Sequence, residues 1–292
     1  MAGFPRPLYT LCCWYMMKHA SPPAYSLQRV QSCLKVLNAD EGSLLCTIPV
    51  QRLQDCCLVA DRFLLYSEVQ SSVLRLRKLP GGNLVQTLKL LSPVLRLQAA
   101  GQFFLAVMEE CTAVLQVEKK LEVLRVEKHC SNPSGAGALR AVDNSLLVCH
   151  LDSRPGSVTV QWLGTKPRKM TLAAHKNPLS AIGISASGER IATASTKGTL
   201  LRVFDSASGK LIREVRMSFS CQQITSLEFS PDDQLIGVGT SDGQVALQEV
   251  EERQGILGMV PSFLLPVRRG EQRCANESES PHPLRASWLE IE

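Results

Sequence analysis

The 292-residue chain predicts an all-β fold of repeated sheets. Three observations predict it. Residues 179–205 and 224–250 align without a gap at an offset of 45 residues, with Ser185 on Ser230, Ile191 on Ile236 and Gly198 on Gly243. Within each copy, apolar and polar residues alternate with the two-residue period of a strand. Turn signals recur every eight to twelve residues, the spacing of short strands in a sandwich or barrel. A period near 40–45 is that of a WD-type β-propeller blade.

The elements follow in chain order. Residues 30–50 hold one early unit. Residues 53–79 give strands at 56–59, 62–66 and 72–76, closed by the turn Pro80-Gly81-Gly82-Asn83. Residues 94–118 give strands at 94–98, 103–108 and 112–117. Residues 141–162 give strands at 145–150 and 157–162 around a turn at 152–156, and residues 167–171 suit a following strand. In the two clearest units, strands at 181–185 and 226–230 lead through polar turns to strands at 190–194 and 235–239. Tight turns at Thr196-Lys197-Gly198 and Ser241-Asp242-Gly243 follow, and a third strand at 199–204 or 244–250 closes each unit. Glycine in these turns supplies the positive φ that a hairpin demands.

That makes about six blades. A propeller has to close, because an open blade leaves an unpaired edge. The expected architecture is a WD40-type propeller of a seven-bladed family, its last blade incomplete or built from both termini. The division is an N-terminal segment at 1–25, blades over 26–252 and clearest at 175–250, and an apolar loop with a polar tail at 253–292. The tail ends in a candidate last strand at 287–291.

Composition narrows the function. A net charge of +5 suits an anionic partner without demanding one. The eleven cysteines include no CxxC pair, so they read as reduced, mostly buried residues of a cytoplasmic protein, with no metal and no cofactor expected. The apolar run at 9–17 is too short to span a bilayer, and Lys18 and His19 follow it, so no secretory signal is read there. No Gly-rich phosphate loop, HExxH or GxSxG occurs. Cys130, Cys149, His129 and His150 are the residues a Cys/His mechanism would draw on, but nothing in the sequence places them together. No catalytic residue and no nucleic-acid partner are expected.

Residues 175–250 carry a more specific likeness. His175-Lys176-Asn177-Pro178-Leu179, with the string ATAS-x-KGT-x-x-RVFD at 192–205, resembles the fifth blade of the PROPPIN family. That resemblance implies a seven-bladed propeller that binds phosphatidylinositol 3-phosphate or 3,5-bisphosphate. It implies peripheral recruitment to phagophore, endosomal or vacuolar membranes, and contacts with autophagy proteins through the blade surfaces. The family's Phe/Leu-Arg-Arg-Gly motif aims two arginines to opposite sides, one at each of two lipid pockets. The matching residues here are Val215-Arg216-Met217-Ser218. Arg216 keeps one pocket, with Lys197, Thr199, Arg202 and His175 as its expected neighbours. Met217 puts the other in question, because a thioether cannot make the bidentate, charge-assisted bonds of a guanidinium. Arg213 lies nearby and is read as one alternation step off the required face.

Each signal has a plainer reading. His175 is either a phosphate donor or a structural histidine within its blade. Lys197 and Thr199 are either headgroup contacts or a solvated turn. The segment 256–267, with Ile256, Leu257, Met259, Val260, Phe263, Leu264 and Leu265 before Arg268 and Arg269, is either a membrane-inserting loop or a strand of the last blade. Three functions stay open: a phosphoinositide-dependent autophagy scaffold, a PROPPIN-like scaffold that has lost lipid binding, or an unrelated WD-type adaptor.

Overall fold

The computed structural model describes residues 25–250 apart from 31, 60, 61, 119, 144, 165 and 218–222, together with the backbone of 264–265. Among the described residues, six antiparallel sheets follow one another, each a meander in sequence order. The first has three strands, β1 (Tyr25–Val30), β2 (Cys33–Asn38) and β3 (Leu44–Pro49). The second comprises β4 (Leu53–Val59), β5 (Phe63–Glu68), β6 (Val73–Lys78) and β7 (Asn83–Lys89). The third comprises β8 (Val94–Ala100), β9 (Phe103–Met108), β10 (Cys111–Val117) and β11 (Leu121–Lys128). The fourth comprises β12 (Gly137–Val142), β13 (Ser145–Leu151), β14 (Ser157–Leu163) and β15 (Arg168–Ala173). The fifth comprises β16 (Leu179–Ile184), β17 (Arg190–Ser195), β18 (Leu200–Asp205) and β19 (Leu211–Arg216). The sixth comprises β20 (Ile224–Phe229), β21 (Leu235–Thr240), β22 (Val245–Glu249) and the two-residue β23 (Leu264–Leu265).

The sheets are the blades, and their cores lie between neighbours. Leu97, Phe104 and Leu115 of the third sheet share a buried cluster with Leu65, Leu74 and Leu76 of the second. Leu201, Val203 and Met217 of the fifth share one with Ile224, Leu227, Ile236 and Val238 of the sixth. Such faces bury apolar residues at every second position, which is what the alternation in the sequence encodes. The first strands β4, β8, β12, β16 and β20 pack on one another in succession and line the axis.

Polar side chains tie these inner strands together. Gln54 donates to Leu95 O at 3.0 Å, and the amide of Leu97 donates to Asp55 Oδ2 at 2.8 Å. Across the axis, Arg96 Nη2 reaches Thr225 O at 3.2 Å. Burial raises the pKa of Glu228, while the charges of Arg140 and Arg96 pull it down.

The structure corrects one expectation. The third strand does not close a unit; a fourth runs outside it in every sheet but the first. Residues 80–83 do turn, yet they lead into β7 rather than ending the blade. The turn glycines behave as expected, with φ of +68° at Gly198 and +86° at Gly243.

Candidate functional site

The residues singled out on the fifth blade gather where β17 turns into β18 and β19 ends. Register places Arg216 opposite Leu200 and Glu214 opposite Arg202. Cross-strand partners share a face, so Arg202, Glu214 and Arg216 lie on one side of the sheet, the side whose Arg202 Nη1 donates to Ala174 O just past β15. Lys197 in the turn and Arg216 at the end of β19 are both exposed, and Thr199 is half-buried. Thr199 accepts the Met217 amide at 3.0 Å through its carbonyl, which fixes the end of β19 against the turn.

Two of the predicted phosphate ligands are already engaged. Arg202 donates through Nε and Nη2 to Glu214 Oε2, both at 2.7 Å. Its charge is therefore matched by a carboxylate on the next strand. Glu214 escaped the sequence reading because the fourth strand that carries it went unassigned. His175 holds Thr193 Oγ1 at 3.0 Å through Nε2, and its amide donates to Gly156 O at 2.8 Å. Burial, helped by the nearby Arg202 charge, lowers the His175 pKa to about 4. The ring is neutral at neutral pH and offers a phosphate no charge. Among the described residues, the uncommitted cations of the cluster are thus Lys197 in the turn and Arg216 at the end of β19, at the same end of the blade as Thr199.

Neutral His175 has a measurable signature. Between pH 6.5 and about 4 the unfolded chain binds a proton that the folded chain refuses. The stability from neutral His175 is whole above pH 6.5 and shrinks as pH falls toward 4. Buried His150 shifts in the same direction and adds to the slope. Urea midpoints should fall from pH 6.5 to 5, and His175→Gln should flatten part of that fall. An unchanged slope in the variant would remove His175 as the source.

The other face of β19 is built differently. Met217 is only 5% exposed and packs with Ile224, Leu227 and Val250 of the sixth blade. The position where the resembled motif has its second arginine is therefore a piece of core. Arg213 needs correction. It pairs with Val203, two steps along from the Val215–Leu201 pair, so alternation puts it on the same face as Val215 and Met217. There its Nη1 donates to Glu249 O of the sixth blade at 2.7 Å. It lies four residues down the strand from position 217 and serves as an interblade tie.

The expected membrane loop is placed only in part. Leu264 and Leu265 form β23, pairing with Ala246 and Val245 as the fourth strand of the sixth blade. For these two residues the backbone pairing matches the strand reading, and it covers the β22 edge that would otherwise be open. Ile256, Leu257, Met259, Val260, Phe263, Arg268 and Arg269 lie outside the described residues, as does Ser218. No helix among the described residues is long and apolar enough to cross a membrane.

The structure does bring two of the histidines together, with ring centroids of His129 and His150 6.2 Å apart. Both make structural hydrogen bonds: His129 Nε2 pairs with Thr112 Oγ1 at 2.9 Å, and His150 Nδ1 donates to Leu151 O at 2.7 Å, while His150 Nε2 has no partner among the described residues. Cys149 is buried and its thiol is pushed well above the ordinary range, the opposite of an activated nucleophile.

Comparison with known proteins supplies the context for this geometry. The family model described as PROPPIN matches residues 26–256. Autophagy-related protein 18 of Kluyveromyces marxianus is 37% identical over 98 residues, covering 34% of this chain and 19% of that protein. WD repeat domain phosphoinositide-interacting protein 2 of Gallus gallus is 28% identical over 165 residues, covering 54% and 37%. The chain thus matches about a fifth of the length of the first curated relative. Among solved structures, Kluyveromyces lactis Hsv2 superposes with a TM-score of 0.66 at 17% identity, covering 85% of this chain and 81% of that one. A chain of a mitotic checkpoint complex reaches 0.60 at 16% identity, so the likeness of shape speaks to fold alone.

Proposed function

Because the chain belongs to the PROPPIN family, we propose that it is a phosphoinositide-binding scaffold recruited to membranes in autophagosome formation. The headgroup would be phosphatidylinositol 3-phosphate or 3,5-bisphosphate, held on the fifth blade by Arg216 with Lys197 and Thr199. Arg202 and His175 shape this pocket from behind rather than adding charge to it. The protein would take autophagy proteins as partners on its blade surfaces. It would work in the cytoplasm at phagophore, endosomal or vacuolar membranes, and no catalytic step enters this role.

The observation that carries the reading is that Arg216 and Lys197 are both exposed at one end of a blade whose sequence matches the family's. Two exposed cations at one end of a blade suit a phosphate monoester. A surface contact of this kind is screened by salt, so binding should weaken as ionic strength rises. A second reading rests on Met217: with that position given to packing, the chain is a PROPPIN scaffold that works through protein contacts alone.

Liposome flotation separates the two. The full chain should float with vesicles containing phosphatidylinositol 3-phosphate and stay behind with phosphatidylcholine vesicles. Arg216→Ala should reduce the floated fraction at least about tenfold, the scale of one lost charge-assisted hydrogen bond. A chain that ignores the phosphoinositide sinks the first reading and leaves the second. Binding that survives Arg216→Ala keeps the function and moves the site elsewhere.

A further inference from the structure

The outer strands carry a repeated irregularity. In the first, second, third and fifth blades, the pairing onto the outer strand skips one residue, which is Leu45, Val85, Leu124 or Ile212. The residue before it is Leu44, Leu84, Val123 or Leu211. All eight are apolar and exposed. A bulge leaves its extra residue unpaired and re-aims side chains at a sheet edge. It also spoils that edge as a template for another strand. The pairs are therefore presented as side chains, and the charges around them decide what they can meet.

Charge singles out the fifth blade. The pair of the first blade follows Asp40 and Glu41. That of the third follows Lys120 and Glu122, an ion pair at 3.0 Å. The pair of the second has Lys78 alone before it in the connection. In the fifth, exposed Lys210 directly precedes Leu211 and Ile212, which are 44% and 37% exposed. The fourth blade adds to this. Arg168 Nη2 donates to Ser206 O at 3.3 Å, and Gly209 lies against Leu172 and Met170 of β15. Exposed Arg168, with exposed Lys166 two residues before it, thus stands beside the turn that leads into Leu211. The acid of that turn, Asp205, is engaged by Arg190 at 3.7 Å and by Ser208 Oγ at 2.6 Å. Among the described residues, no carboxylate pairs with Lys166, Arg168 or Lys210.

We propose that Leu211 and Ile212, with Lys166, Arg168 and Lys210 around them, form a membrane contact that takes the surface of an anionic bilayer. Apolar side chains at the acyl boundary and cations among the headgroups are the two signals such a contact combines. The bulge sets the position. Leu211 pairs with Phe204, Glu214 with Arg202 and Arg216 with Leu200, three partners that alternate along β18 and so share a face. Without the skipped Ile212, Leu211 would fall on the face of Arg213 instead. As built, it lies on the same edge and side as Arg216, at most about 16 Å along the strand, so one flat surface can meet both. The proposal rests on the reading that this chain works at membranes, and it holds whichever headgroup Arg216 takes.

Flotation of the full chain with vesicles of phosphatidylcholine and phosphatidylserine, free of phosphoinositide, tests this. Wild type should float, and less so as salt rises. Leu211→Ser with Ile212→Ser, and separately Lys166→Gln with Lys210→Gln, should each lower membrane affinity at least about tenfold. Urea midpoints should stay near that of wild type, because all four side chains are exposed. Arg216→Ala should keep this binding and lose the increment that phosphatidylinositol 3-phosphate adds. A wild type that floats with phosphatidylserine and gains nothing from the phosphoinositide sinks the headgroup reading and supports this one. A chain that ignores phosphatidylserine vesicles, or a serine variant that floats as well as wild type, overturns the proposal. So does a wild-type dimer in sedimentation that the serine variant dissociates, because the apolar pair would then face a second copy of the chain.

Discussion

Replacing Met217 by arginine is expected to destabilise the propeller by about 3 kcal/mol or more and to leave phosphoinositide affinity no higher than before. Restoring the motif by sequence would suggest the reverse, a second pocket regained. The structure argues otherwise, because the side chain at 217 is 5% exposed and lies against Ile224 and Leu227 of the neighbouring blade. Removing it forfeits about 1.5–3 kcal/mol of burial. Seating a guanidinium in its place adds an unpaired charge among apolar groups. Met217→Leu, which keeps volume, should cost less than about 1.5 kcal/mol. Urea unfolding of the two variants, followed by flotation, decides the matter. An arginine variant as stable as wild type with tighter lipid binding would mean that the side chain escapes to the rim and the second pocket is intact.

Gly156→Ala should be as damaging, for a different reason. A Cβ at this position would sit 2.1 Å from His175 O and 2.9 Å from Asn177 O, both backbone atoms. Its φ of +78° adds the left-handed penalty that any side chain carries, about 1–2 kcal/mol. The strand end at 156 and the segment at 175–177 would have to part, breaking the 2.8 Å bond from the His175 amide to Gly156 O. The combined loss is expected to exceed about 3 kcal/mol. Gly101→Ala is the control, since Gly101 also has positive φ, +61°, but nothing within 4 Å of a Cβ. It should lose only about 1 kcal/mol. Equal losses in the two variants would show that conformation alone, and not the close approach, is at stake. Because Gly156 sets the backbone that carries His175, its substitution should also weaken lipid binding.

The blades were legible where strands bury every second position or more against neighbours, as in β16–β18 and β20–β22. There alternation, turn glycines and the 45-residue offset all agree. The outer strands were not legible. β7, β11 and β19 are exposed at most positions, so no core writes a period into them, and apolar Leu84, Leu124 and Leu211 stand in solvent. Missing β19 as a strand hid Glu214 from Arg202 and placed Arg213 on the wrong face. The site was legible as residue types but not as partners. Arg202 and His175 read as phosphate donors from the string around them, yet their bonds go to Glu214 and Thr193, 12 and 18 residues along the chain. Met217 read as a lost donor. Only packing shows that the same change gains core.

The bond from Arg96 to Thr225 O joins residues 129 apart in the chain. On the ribosome that separation is a delay. At roughly 5–20 residues per second, Arg96 waits about 6–26 s after its own synthesis before its acceptor exists. For that interval the third blade stands without the sixth, and its axial strand faces water. A guanidinium tolerates the wait, since it is as well satisfied by solvent as by a carbonyl, where a leucine would invite association with a neighbouring nascent chain. The axial arginine therefore serves the unfinished molecule as much as the finished one.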